Sequence, residues 1–195
     1  IIDGHQLDGL FVIGNVDKDL INKITQTKNI VSIDYVLGED YDSVMFDLRK
    51  ATQNSLDHFF KLGHKKIGYI GGITYIRTME GKIYNTDVRQ QEYEAIMKKK
   101  GLFNPSYMLI GDWRVEVGYQ LMKQALEADD VPTAFFIGSD PMAIAALRAL
   151  SEAELNVPND IAIISIDDIS LASFVNPPLT TVKVFMDEMG ETAVK

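Results

Sequence analysis

Residues 132–150 read PTAFFIGSDPMAIAALRAL, and this stretch decides the fold. The run Ala134–Ile137 is apolar without a break, too short for a helix, and ends on Gly138. Ser139-Asp140 then offers helix-capping side chains, Pro141 falls in the first turn, and alanines and leucines continue a helical pattern over residues 141–153. Proline suits that turn because the N–H it lacks has no helical partner there. A strand with one face in water would alternate apolar and polar residues. A continuous apolar strand leading straight into a helix instead belongs to a parallel sheet covered on both faces.

The same unit recurs along the chain. Short aliphatic runs stand at residues 10–13, 30–33, 67–70, 108–110 and 161–166. Helical patterns lie between them at residues 18–27, 47–62, 87–100 and 114–128, with Gly63 and Gly101 as stops for two of them. Strands alternating with helices predict an α/β fold. Residues 73–86 fit neither pattern and are too long for a simple βα turn, so they are expected as an irregular loop over the carboxyl edge of the sheet.

Composition narrows the function. The 195 residues are 46% hydrophobic and 24% charged, an ordinary globular profile. No apolar run approaches the roughly 20 residues that span a bilayer. The opening IIDGHQLDG lacks the regions of a signal peptide and lacks a starting Met, so the chain is expected to be part of a longer one. With no cysteine there is no disulfide, zinc-thiolate site or thiol nucleophile, which fits a reducing compartment. A net charge of −9 argues against the chain gripping a phosphate backbone by itself. The cluster Lys98-Lys99-Lys100 reads as the solvated end of a helix.

In open α/β sheets ligands bind outside the carboxyl ends of the strands. Asp34, Asp112, Asp140 and Asp167 each stand at or just past such an end, and that repetition is the main functional signal. Asp140 serves equally as a helix cap or a ligand contact, Asp87 and Asp47 read as caps, and Asp112 reads as loop. Asp34 and Asp167 have no helix to cap and lean towards function. Asp168 reads as a tie for the turn that follows. Arg89 sits in a first helical turn, where a cation opposes the helix dipole, so a partner is expected beside it. Trp113, the single tryptophan, is core or a stacking surface. Carboxylates, an arginine and a flat aromatic suit a sugar, through paired hydrogen bonds to hydroxyls and apolar contact with a pyranose face. A Mg²⁺ site for phosphoryl transfer is the competing reading, but no Gly-rich phosphate loop accompanies it. His58 lies within a helix, His64 follows a helix stop and His5 is near the start, none placed for catalysis. A binding protein is expected, with no catalytic residue, metal or cofactor.

Several segments, taken in order, resemble the effector-binding core of lactose/galactose-repressor-type transcriptional regulators. They are LGHKKIGYIGG (62–72), DVRQQEYEAIMKKKGL (87–102), PTAFFIGSDPMAIAALRAL (132–150), VPNDIAIISIDD (157–168) and NPPLTTVKV (176–184). DDISLASFVNPPLTTVKV and the long loop before Arg89 are most similar to the galactose-operon repressor branch. The resemblance implies a two-lobed, periplasmic-binding-protein-like fold of parallel sheets flanked by helices. It implies an incomplete first lobe at residues 1–46 and 184–195 and a second at 47–183, truncated at both chain ends. It also implies a sugar in the cleft, galactose or a relative, held by Asp34, Arg89, Trp113, Ser139 and Asp167. A sugar held from both lobes would favour their closed form. A cytoplasmic homodimer is implied, meeting operator DNA through a helix-turn-helix outside this sequence. Ser165 and Ile166 stand where the family often has glycine and an aromatic, and Ala145 where it has glycine. A periplasmic-type sugar-binding protein, which shares the fold, is the alternative.

Overall fold

The computed structural model describes residues 7–195, so His5 and the first residues of the opening stretch lie outside it. Along the chain run β1 (Leu10–Ile13), α1 (Lys18–Ile24), β2 (Ile30–Ile33), β3 (Asp42–Val44), α2 (Leu48–Lys61) and β4 (Ile67–Gly72). The antiparallel pair β5 (Thr74–Thr78) and β6 (Gly81–Asn85) follows. Then come α3 (Val88–Lys99), β7 (Met108–Gly111), α4 (Val115–Leu126), β8 (Ala134–Ile137), α5 (Asp140–Glu152), β9 (Ala162–Asp167), β10 (Thr181–Lys183) and α6 (Met186–Val194). These elements form two compact units. One holds Ile1–Asp47, Thr74–Asn85 and Phe185–Lys195, and the other Leu48–Ile73 and Thr86–Val184.

The larger unit is a five-stranded parallel sheet in the order β10-β9-β8-β4-β7. Every residue of β4 and β8 is buried, and all of β9 up to its final Asp167. Burial on both faces is why these strands read as continuous aliphatic runs. The core packs Ile70, Phe135, Ile137 and Ile163 against Met122, Met142 and Leu150 of the covering helices. From β4 the chain passes through α3 to β7 on one side, and from β8 through α5 to β9 on the other. Right-handed crossovers in opposite directions carry α3 and α5 to opposite faces, so the neighbours β4 and β8 flank the topological switch point. Gly63 and Gly101, both at positive φ, end α2 and α3 as the sequence indicates.

The smaller unit has a three-stranded parallel sheet, β1-β2-β3, with Val12, Ile21, Ile30 and Leu37 in its core. The β5–β6 hairpin belongs to this unit too, where Val16 and Arg77 form a bridge. This corrects the reading of residues 73–86 as an irregular loop. The turn Met79-Glu80 reverses the chain, and Gly81, which opens β6, has φ 136°, a conformation side chains resist. The lobe boundaries implied by the resemblance put this hairpin within residues 47–183, whereas it clusters with the first unit. Strand β3 and helix α6 are further elements absent from the sequence reading.

Candidate functional site

The carboxyl ends of β4 and β8 carry Gly71-Gly72 and Gly138-Ser139, and the amino ends of α3 and α5 start beside them. Asp87 caps α3, its Oδ1 accepting from the Arg89 backbone N–H at 2.9 Å. The same carboxylate holds the Arg89 guanidinium from the side, taking Nε at 2.7 Å and Nη2 at 2.8 Å. Arg89 then reaches across the switch point, where Nη1 donates to the Gly138 carbonyl at 2.7 Å. Asp87 thus supplies the partner that an arginine in a first helical turn requires. The pair is largely buried, with side chains 14% and 8% exposed. Burial pulls the guanidinium pKa down, but the hydrogen bonds and charge of Asp87 outweigh it and leave Arg89 raised and charged.

Trp113 follows β7 and covers this arrangement. Its ring lies 4.3 Å from the Arg89 guanidinium carbon. A Cβ on Gly72 would run into that ring, and one on Gly138 would sit 3.0 Å from its far edge. The glycines therefore form a floor flat enough for an indole to lie on. Tyr69, also on β4, is fully buried and stacks on Tyr93 with centroids 5.3 Å apart. Its hydroxyl lies against Gly71 and has no hydrogen-bond partner among the described residues. Burial drives its pKa up, with the Asp87 charge adding to the shift, so the phenol stays neutral.

The strand-end carboxylates separate into different roles. Asp140 is the first residue of α5 and fully buried. Its Oδ1 accepts from the hydroxyls of Ser165 (2.5 Å) and Thr181 (2.6 Å), and its Oδ2 from the Ile169 N–H (2.9 Å). Neither cap nor ligand contact describes it: Asp140 ties α5 to β9, to β10 and to the turn between them. The hydroxyl of Ser165, the residue that departs from the glycine the resemblance suggests, is thus engaged by Asp140. Asp112 is exposed and pairs with Arg114 at 3.5 Å, as a loop carboxylate would.

Asp167 ends β9 half-buried, and its Oδ2 accepts from the Asp140 backbone N–H at 3.3 Å, at the start of α5. Ser139 is the cap position of α5 but makes no side-chain cap bond. Asp167 and Asp168 have φ of 132° and 56°, two consecutive non-glycine residues outside the usual regions. The Asp168 N–H donates to Thr181 Oγ1 at 3.2 Å, fixing the turn. Of the predicted set, Arg89, Trp113, Ser139 and Asp167 all lie at the carboxyl edge of this one sheet. Asp34 belongs to the smaller unit, at the end of β2, with φ 58° and its N–H donating to the Val44 carbonyl at 2.8 Å. Asp87 and Tyr69 were not predicted here. The spacing Asp87-Val88-Arg89 was the available signal for the first, and burial beside Gly71-Gly72 marks the second only in three dimensions.

No three histidine or carboxylate residues among those described converge to hold a metal ion. A cleft at the opposite, amino edge is lined by Pro105, Tyr107, Gln124 and Asp130. There Asp130 pairs with Lys66 and accepts from the Tyr107 hydroxyl at 2.5 Å, so its polar groups serve each other. No helix among the described residues is long and apolar enough to cross a membrane.

Residues 56–195 match the periplasmic binding protein-like domain. Over 98% of its length the chain is 40% identical to the HTH-type transcriptional repressor MelR of Bacillus subtilis, covering 56% of that protein. It is 35% identical to the HTH-type transcriptional regulator GalR of Lacticaseibacillus casei, again over 98% of this chain and over 58% of that one. The chain therefore spans less than two thirds of these relatives. Its fold is similar to a LacI family regulator from Lactobacillus casei solved with bound sucrose. That match has a TM-score of 0.79 at 28% identity and covers 96% of this chain and 68% of the other.

Proposed function

This chain belongs to the periplasmic binding protein-like family, in the branch of LacI-type transcriptional regulators, and on that footing we propose that it is the effector-binding core of a sugar-responsive repressor. The effector is galactose or a related sugar. Arg89, Trp113, Ser139 and Asp167 are its contacts at the carboxyl edge of the larger unit, and Asp34 is the smaller unit's candidate contact. A ligand that binds one state of the repressor more tightly than another shifts it by that difference in affinity. The full-length protein is a cytoplasmic homodimer that meets operator DNA through a helix-turn-helix, and the site binds rather than catalyses.

One observation carries the reading. A charged guanidinium, fixed by a buried carboxylate and backed by an indole, stands at the switch point of a parallel sheet. It offers directed hydrogen bonds next to an aromatic face, the pairing that a sugar's hydroxyl rim and apolar C–H face require. The regulators among the relatives favour this reading over a periplasmic carrier. Calorimetry of the full-length protein against galactose, glucose, ribose and sucrose tests it. Binding of at least one neutral sugar is expected. Binding of none, with Mg²⁺ raising thermal stability instead, would return the site to phosphoryl chemistry.

A further inference from the structure

Three features at the switch point would ordinarily attract an anion. They are the side-on fork of an arginine, the amino end of α3 and the amino end of α5. In this chain each is occupied by one of its own carboxylates. Asp87 fills the Nε–Nη2 fork of Arg89, which a phosphate or carboxylate would otherwise take side-on. The same Asp87 accepts the first-turn N–H of Arg89 and so caps α3. Asp167 accepts the Asp140 N–H at the start of α5. On the neighbouring strand, Lys183 is registered beside Asp167, so that cation also stands next to a carboxylate.

We propose that Asp87 is a specificity-determining residue that makes the site select uncharged polyols and reject their phosphate esters. The inference rests on the sugar-effector reading above and deepens it. A guanidinium has five N–H donors, and three are used here, by Asp87 twice and by Gly138 once. The remaining donors belong to an ion pair of zero net charge. Hydroxyls accept from such donors well. A phosphate gains no net cation and must approach Asp87 itself, a juxtaposition of like charges that disfavours it. Asp87 acts through Arg89, holding the guanidinium in one orientation and cancelling its charge.

The test is calorimetry of the full-length protein with galactose and glucose against galactose 6-phosphate and glucose 6-phosphate. The comparison runs on wild type and Asp87→Asn, with folding checked by circular dichroism and thermal unfolding. Asparagine keeps the cap and the shape but removes the charge. Wild type is expected to bind a neutral hexose at least about tenfold more tightly than its phosphate ester, and Asp87→Asn to move that ratio towards the ester by roughly tenfold. If Asp87→Asn does not fold, Asp87→Ser, which also caps, takes its place with the same expectation. Phosphate esters bound by wild type as tightly as neutral hexoses would overturn the proposal and leave a sugar-phosphate effector. Equal weakening of both ligands in the variant would also overturn it, making Asp87 purely structural. No binding of either class would overturn the sugar reading together with the inference.

Discussion

Asp140 and Asp87 look alike in sequence, each a carboxylate where a helix begins, and both are buried. Their partners differ. The Asp140 oxygens are taken by neutral donors from β9, from β10 and from the turn between them, which seals that end of the sheet. Asp87 bonds an arginine of its own helix, whose Nη1 reaches on to the end of β8. One carboxylate closes a junction, and the other fixes a cation at the carboxyl edge of the sheet. A buried acid at a strand end is thus read by where its acceptors go, not by where it stands.

Substituting Asp140 breaks this comparison most forcefully. Asp140→Ala removes the acceptor of two hydroxyls and one backbone N–H, of which the Ser165 hydroxyl is buried and the other two groups are half-buried. At roughly 1–3 kcal/mol for a buried group left unsatisfied, and less for the half-buried two, a loss of about 2–3 kcal/mol is expected. Urea unfolding measures it, and a change under about 1 kcal/mol would mean that the junction is not held this way. At the other end of the scale, Tyr69→Phe removes a buried hydroxyl that has no partner among the described residues. Thermal unfolding is expected to stay the same or rise slightly, since deleting an unsatisfied polar group is close to neutral or stabilising. A clear fall in melting temperature would show the hydroxyl to be engaged and would bring Tyr69 into the working part of the site.

Strands β4, β8 and β9 were legible because both faces are covered and nearly every position is apolar or glycine. Its helices were legible from capping residues and glycine stops. The β5–β6 hairpin escaped because Tyr75, Ile83 and Tyr84 are exposed, so the strands lack the inward-apolar alternation that marks a sheet. Strand β3 has three residues, too few for any period to register. In the candidate site, Arg89 announced a missing partner, and the capping position two residues earlier supplied it. Asp140 was opaque for the opposite reason. Its partners lie 25, 29 and 41 residues away, and no local pattern records them.

The central claim is that the cation prepared by Asp87 holds the effector, and it is tested most directly by titrating galactose and glucose into full-length wild type and Arg89→Ala in parallel. The account predicts that the variant stays folded and loses about 100-fold or more in affinity for whichever hexose binds, the loss expected when charge-assisted hydrogen bonds are removed together. Affinity in Arg89→Ala within about twofold of wild type would contradict it.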